Sequence, residues 1–183
     1  MYRCRVWPTA NFAIRSQRNR TQPLSGSSNL IRFSELQSSL LWNAYSATKI
    51  GFSTTIAAPN GTLTMNKFIT GSADSGVYQT FSAGGAANFQ AGETFTVSAW
   101  LATETGTATA GFAYYDGGFF PTSPFTLTTT PIRYSRTFSI RTTPTPDPAS
   151  NVTVNGGVIA QTILWWGYQL ERGSTMTAYT KRS

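Results

Sequence analysis

Histidine is absent from the 183-residue chain, and cysteine occurs once, at Cys4. Without histidine, the chain cannot form a Ser-His-Asp or Cys-His catalytic arrangement or a metal site with a histidine ligand. A single cysteine excludes a disulfide within the chain, so nothing in the sequence points to an oxidising compartment. No metal or other cofactor is predicted.

Charged residues are also scarce, at 11% of the chain, whereas soluble domains carry about 25%. Residues 1–34 hold six arginines and no acidic residue, so they supply most of the net charge of +7. Residues 1–28 contain Pro8, Pro23 and a Ser-Gly-Ser-Ser run and show no sustained helical or strand period. We predict that residues 1–28 form an extended, basic anchoring arm and that residues 29–183 form one folded domain.

Long apolar runs are missing as well. No run approaches the ~20 residues that cross a bilayer, and the amino terminus lacks the apolar core of a signal peptide. We therefore expect a protein that is made in a cytoplasm and is not inserted in a membrane.

The chain does contain many short segments of alternating apolar and polar residues, with turn-forming residues between them. The clearest is 94–101, and others surround residues 77–81, 108–114 and 134–140. In the last of these, Arg136 falls on the apolar side and indicates an edge strand or a position at the rim of the sandwich. Roughly eight to ten strands at this spacing predict an all-β, antiparallel β-sandwich of the jelly-roll type. Residues 35–42 are predicted to form one or two helical turns.

The stretch 163–174 predicts a central strand covered on both faces. At the two-residue period of a strand, one face carries Leu164, Trp166, Tyr168 and Leu170, and the other carries Ile163, Trp165, Gly167 and Gln169. Gly167 would leave room for a bulky neighbour, and residues 172–174 would form the turn that ends the strand, with Glu171 as its hydrogen-bond partner.

Several short segments occur in the order known from one family: Asn29-Leu30, Ser34-Glu35, Trp42, Ala58–Thr62, Tyr78-Gln79, Ala91–Ser98, Arg133–Ser135, Trp166–Ser174 and Ala178-Tyr179. Together they resemble the carbohydrate-binding-module-like jelly-roll domain of bacteriophage tail fibres and other virion surface proteins. The resemblance covers residues 28–180. The family usually has aspartate where Asn60 stands and tyrosine where Phe95 stands. The resemblance implies a jelly-roll fold and a virion setting, but it implies no particular ligand.

The acidic residues do not suggest catalysis. The chain has seven: Glu35, Asp74, Glu93, Glu104, Asp116, Asp147 and Glu171. A glycosidase needs two carboxylates that flank one bond, whereas most of these stand singly in turns or at strand ends. We therefore predict a protein that is not an enzyme.

Residues 114–120 are the candidate for sugar binding, because sugars bind on exposed aromatic faces beside polar groups. The candidate residues are Tyr115, Asp116, Phe119 and Phe120. The alternative is that Tyr114 and one phenylalanine belong to the core and the other rings pack against a neighbouring subunit. We prefer this packing interpretation on the sequence alone.

The arm suggests attachment to a particle. Its candidate docking residues are Arg3, Arg5, Trp7, Phe12, Arg15, Arg18 and Arg20. Arginine and aromatic side chains can contact nucleic acid, but arginines this sparse, among prolines and apolar residues, better suit a groove on another virion protein. We therefore predict a structural protein of a bacteriophage virion, homo-oligomeric in the particle, as a tail-fibre or appendage component. The alternatives are a capsid decoration protein, a jelly-roll coat protein with a nucleic-acid-binding arm, and a glycan-binding lectin.

Deletion of residues 1–27 is expected to leave a folded, soluble domain that no longer joins the particle, because core-forming periodicity begins only after this segment. Circular dichroism of the truncated chain and its recovery in assembled particles check the two halves of this prediction. A truncated chain that fails to fold, or that still incorporates normally, would contradict it.

Overall fold

The structure, a computed structural model, describes residues 29–32, 34–36, 40–80, 91–141 and 151–182. Within these ranges the chain forms eleven β-strands and no helix. The strands are β1 (Asn43–Tyr45), β2 (Ala47–Phe52), β3 (Asn66–Thr70), β4 (Gly76–Thr80), β5 (Thr94–Ala102), β6 (Ala108–Tyr115), β7 (Phe119–Pro121), β8 (Phe125–Leu127), β9 (Ile132–Ser139), β10 (Asn151–Gly156) and β11 (Thr162–Arg172). The described part thus offers no helical segment that could cross a membrane.

Two antiparallel sheets pack face to face. The six-stranded sheet has the order β1-β4-β10-β6-β7, and β8 pairs with the other half of β6. The five-stranded sheet has the order β2-β3-β11-β5-β9. The predicted antiparallel β-sandwich of the jelly-roll type is therefore confirmed, and β11 is the central strand of its sheet.

Strand β5 shows how the alternating pattern builds the core. Phe95, Val97, Ala99 and Leu101 are almost completely buried between the sheets, as their spacing predicts. Across the core they meet residues of the six-stranded sheet, and the rings of Phe95 and Tyr114 lie edge to face with centroids 5.3 Å apart. Within its own sheet, β5 lies between β11 and the edge strand β9. There Arg136 places its guanidinium 3.9 Å from the ring centroid of Phe125, so the edge position predicted from this arginine is confirmed.

A β-bulge interrupts β11 and shifts its alternation of inward and outward side chains by one residue. The pairing with β5 shifts between Trp166 and Gln169, and Gly167 adopts the left-handed region with φ 62°. Consequently Trp165 and Tyr168 both enter the main core, whereas Trp166 lies on the outer side of the sheet. The prediction that Trp166 and Tyr168 share a face was wrong, because a strict two-residue period does not continue through a bulge.

The predicted helical turns at residues 35–42 are not found in the described residues of that range, 35, 36 and 40–42. The preceding residues instead bond to β11, where the Leu30 N–H donates to the Leu170 carbonyl and the Tyr168 N–H donates to the Ser34 carbonyl. Residues 34 and 35 form a turn, and these bonds attach the segment to the central strand in place of helical hydrogen bonds.

Trp166→Ala is expected to lower the free energy of unfolding by about 3–5 kcal/mol, the range for truncation of a large buried aromatic side chain. The Trp166 ring is only 4% exposed and lies 5.4 Å from the Trp100 ring and 5.1 Å from the Tyr179 ring, between centroids. Urea titration measures the change. Phe52→Ala is the control, since that ring is 40% exposed and should contribute much less; a loss below about 1 kcal/mol for Trp166→Ala would contradict the prediction.

Candidate functional site

The outer face of the six-stranded sheet carries a groove lined by aromatic and small polar side chains. Its volume is about 520 Å³, within the range of small-molecule sites. We call it the sheet groove. The residues that line it are Tyr45, Ala73, Asp74, Tyr78, Tyr115, Phe119, Asn151 and Thr153.

The alternating pattern of the two central strands β4 and β10 points Tyr78, Asn151 and Thr153 outward. In β4, Tyr78 stands between Val77 and Gln79, both of which are fully buried. In β10, Asn151 and Thr153 flank the buried Val152. A strand that buries one set of side chains in the core necessarily presents the other set on the opposite face.

Strand register brings the outward side chains together. Tyr78 lies opposite Thr153, and Asn151 lies opposite Tyr115, which in turn lies opposite Phe119 on β7. With neighbouring strands about 4.8 Å apart, the path from β1 to β7 spans about 19 Å. The sheet groove is therefore a continuous surface across five strands.

The rings of the sheet groove are accessible. Tyr45 is 65% exposed and Phe119 is 41% exposed, whereas Tyr78 and Tyr115 are partly covered. Hydroxyl and amide groups lie between the rings, with the Thr153 Oγ1 hydroxyl donating to Asn151 Oδ1 at 3.0 Å. The groove thus offers aromatic faces beside polar groups that can accept and donate hydrogen bonds.

Charge is distributed unequally between the two sheets. The six strands of the groove-bearing sheet contain no Asp, Glu, Lys or Arg. Every charged residue of the described strands belongs to the other sheet: Lys49, Lys67, Arg133, Arg136, Glu171 and Arg172. Asp74, in the β3–β4 loop, is the one charged residue among those that line the sheet groove.

The predicted sugar-binding run divides between the groove and the end of the sandwich. Tyr115 and Phe119 line the sheet groove. Asp116 is 4% exposed and interacts with the buried Tyr114 hydroxyl, and burial together with this carboxylate raises the pKa of Tyr114 well above its usual value. Phe120 stacks on Tyr114 with centroids 6.0 Å apart, and the Arg141 guanidinium lies over its ring. Whether any of the four binds a sugar stays a prediction.

The predicted docking residues of the arm, from Arg3 to Arg20, lie outside the described residues. Among the described residues, no group of three or more Asp, Glu, Cys or His side chains could hold a metal ion.

A second aromatic cluster lies where residues 174–182 pack on the outer face of the five-stranded sheet. Trp100, Trp166 and Tyr179 pack with centroids 5.1–5.5 Å apart. Gly167 makes this possible, because a Cβ there would come within 2.9 Å of the Trp100 ring. The cluster is covered by the chain itself, so it is not a free binding surface.

Polar side chains of β11 fasten residues 174–182 over this cluster. Glu171 is fully buried and accepts from the Thr177 N–H at 3.2 Å and from the Thr177 hydroxyl. Gln169 accepts from the Thr180 N–H at 2.7 Å and donates to the Ala178 carbonyl at 3.2 Å. Thr177 is therefore a partner of Glu171 that the sequence did not predict; the predicted contact of Glu171 with the turn at residues 172–174 stays a prediction.

Sequence reasoning missed Tyr45, Tyr78, Asn151 and Thr153 as parts of the site. Their signal was the alternation itself, since each stands on the polar side of a strand without charged residues. Which such strands lie side by side depends on the sheet order, which the spacing of segments does not give.

No family model matches the chain, and no curated protein matches it in sequence. Solved structures share its fold at low identity. The xylan-binding domain from Paenibacillus barcinonensis superimposes with a TM-score of 0.61 at 12% identity, over 82% of this chain and 98% of that one. A family 22 carbohydrate-binding module of Clostridium thermocellum gives 0.57 at 14% identity, over 84% and 96%. The enzymatically active domain of tailspike protein 4 of bacteriophage CBA120 gives 0.55 at 14% identity, over 79% and 21%. The chain thus has the fold of jelly-roll carbohydrate-binding modules.

Glu171→Gln is expected to lower the free energy of unfolding by about 1–3 kcal/mol, because one of the two acceptor oxygens that Thr177 uses is replaced by an amide donor inside the protein. Urea titration with tryptophan fluorescence measures both stability and exposure of the cluster under residues 174–182. Glu93→Gln is the control, since that carboxylate pairs with Arg172 at the surface and should contribute about 1 kcal/mol or less. Equal losses in the two variants would contradict the assignment.

Proposed function

We propose that this chain is a non-catalytic carbohydrate-binding protein of a bacteriophage particle, and that it binds an oligosaccharide in the sheet groove. The single observation that carries this proposal is the uncharged sheet whose outer groove is lined by four aromatic rings across five strands, two of them exposed and two partly covered. The jelly-roll fold shared with carbohydrate-binding modules supports it further.

The lining of the sheet groove fits the chemistry of a sugar chain. The apolar faces of sugar rings pack on aromatic rings, while their hydroxyl groups need partners that both donate and accept. Tyr115 and Phe119 supply rings, and Asn151 and Thr153 supply such partners beside them. Since Tyr115 lies directly opposite Asn151, one ligand can contact both kinds of group. This favours glycan binding over the packing interpretation of the same rings.

The positions of the carboxylates support binding without catalysis. Asp74 is the one acid that lines the sheet groove, whereas hydrolysis of a glycosidic bond needs two. Glu35, Glu93 and Glu104 form ion pairs with basic residues. Asp116 and Glu171 are buried in contacts with the protein itself. The described residues therefore place no second carboxylate across the groove from Asp74.

The virion setting rests on the sequence. The family resemblance runs over residues 28–180, and the arginine-rich segment before it suits attachment to other virion proteins. A homo-oligomer on the particle would present many grooves together, and weak binding at each site would then give strong overall attachment to a host surface glycan. A tail-fibre or appendage component fits this use best. The alternatives are a capsid decoration protein, a coat protein with a nucleic-acid-binding arm, and a free lectin.

Tyr115→Ala and Phe119→Ala are each expected to lower the affinity of the full chain for its glycan by about tenfold or more, because each removes a ring on which a sugar packs. A glycan array identifies the ligand, and calorimetry with the bound oligosaccharide measures the change. Phe52→Ala is the matched control: the Phe52 ring is 40% exposed and that of Phe119 is 41% exposed, but Phe52 belongs to the other sheet. This control should bind as the unaltered chain does.

Three results would overturn the proposal. The unaltered chain binds no glycan, or the control loses as much affinity as the two groove variants, or a bound oligosaccharide is cleaved on incubation. Thermal unfolding of each variant shows whether a loss of binding is only a loss of folding.

A further inference from the structure

Asp74 is the one charged residue that lines the sheet groove. The six strands of the groove-bearing sheet contain no charged residue, so no basic side chain of that sheet can neutralise the Asp74 carboxylate. The three ion pairs of the described residues do not include it, and its side chain forms no other polar contact there. The carboxylate is exposed and available to a ligand.

The β3–β4 loop holds Asp74 in one place. The Asp74 N–H donates to the Gly156 carbonyl at 3.1 Å, and the residue adopts the left-handed region with φ 60°. The loop is closed by the Ser75 hydroxyl, which donates to the Ser72 carbonyl at 2.7 Å, and it is tied to the chain beside β1 by the bond from Ser72 to Ser46 at 2.9 Å. The carboxylate is therefore attached to a positioned backbone at the rim of the groove.

Two aromatic residues of the groove lie close to Asp74 in the strand register, because Tyr45 lies opposite Gly76, two residues after Asp74, and Tyr78 follows on the same strand. Tyr45 and Tyr78 line the groove together with Asp74. A positive group is attracted both by a carboxylate and by the face of an aromatic ring, whereas a negative group is repelled by both. This end of the groove thus distinguishes ligands by the sign of their charge.

We propose that the sheet groove prefers a glycan that carries a protonated amino group, such as a glucosamine unit, and that Asp74 pairs with that group. This inference depends on the proposed glycan binding and names its substrate class. Glycans rich in uronic or sialic acids would be disfavoured at the same position, despite the net positive charge of the chain.

Asp74→Asn tests the preference, because asparagine keeps the size of the side chain and tolerates the left-handed conformation but carries no charge. The probes are short β-1,4-linked glucosamine oligomers and N-acetylglucosamine oligomers of the same length, measured by calorimetry with the full chain. The unaltered chain should bind the amino form more tightly. Asp74→Asn should weaken binding of the amino form about three- to tenfold and of the acetylated form less than about twofold. The difference should shrink as salt is added.

Glu93→Gln is the matched control, since it removes one surface carboxylate next to the start of β5, in the other sheet, and changes the net charge equally. It should leave both affinities unchanged. If Asp74→Asn binds the amino form as tightly as the unaltered chain, or if the control weakens it equally, the inference is wrong.

Failure of the inference and failure of the proposed function give different results. If the unaltered chain binds glycans on the array and Tyr115→Ala abolishes that binding, but the glucosamine oligomer is not preferred, the proposed glycan binding is supported and the charge preference is wrong. Where no glycan on the array is bound, both fall.

Discussion

The left-handed residue Gly167 in the central strand determines which aromatic rings fill the sandwich and which lie outside it. Before the bulge, Trp165 enters the main core, where its ring lies 4.6 Å from that of Trp42, between centroids. After the bulge, Tyr168 enters the same core, and its ring lies 5.3 Å from Trp42. One extra residue in the strand thus puts two large rings on the same side only three positions apart. A side chain at Gly167 would be strained by the backbone conformation and would also meet the Trp100 ring.

The same bulge prepares the outer face of the five-stranded sheet. Because it turns Gln169 and Glu171 outward, these side chains can hold residues 177–180. Residues near Asn29 join this arrangement, since the Asn29 amide donates to the carbonyls of Tyr168 and Thr180. Contacts within the domain therefore explain the run Trp166-Gly167 to Gln169-Leu170-Glu171, which carries the family resemblance. Nothing in it requires a ligand.

Sequence patterns predicted the parts of the fold that depend on local alternation. Strand β5 and its core face, the edge position of Arg136 and the central place of β11 all follow from two-residue periods. The faces of β11 were predicted wrongly after Gly167. A glycine in a strand does not by itself indicate a bulge, and the bulge here depends on the pairing with β5 and on the close approach of the Trp100 ring. The sheet groove was predicted in part, through Tyr115 and Phe119. Tyr45, Tyr78 and Asn151 come from three strands far apart in sequence, and only sheet order brings them together.

Separation of charge between the two sheets links this architecture to the proposed glycan binding. The five-stranded sheet contains all the charged residues of the described strands, and residues 174–182 pack on its outer face, so the polar groups there serve the fold. The six strands of the other sheet contain no charged residue, and on the outer face of that sheet the rings of Tyr45 and Phe119 are exposed. An uncharged sheet makes a single carboxylate at its rim more influential, because no neighbouring basic group of the sheet screens or pairs with it. Under the proposed glycan binding, the position of Asp74 therefore gives the sheet groove a selectivity for the charge of its ligand.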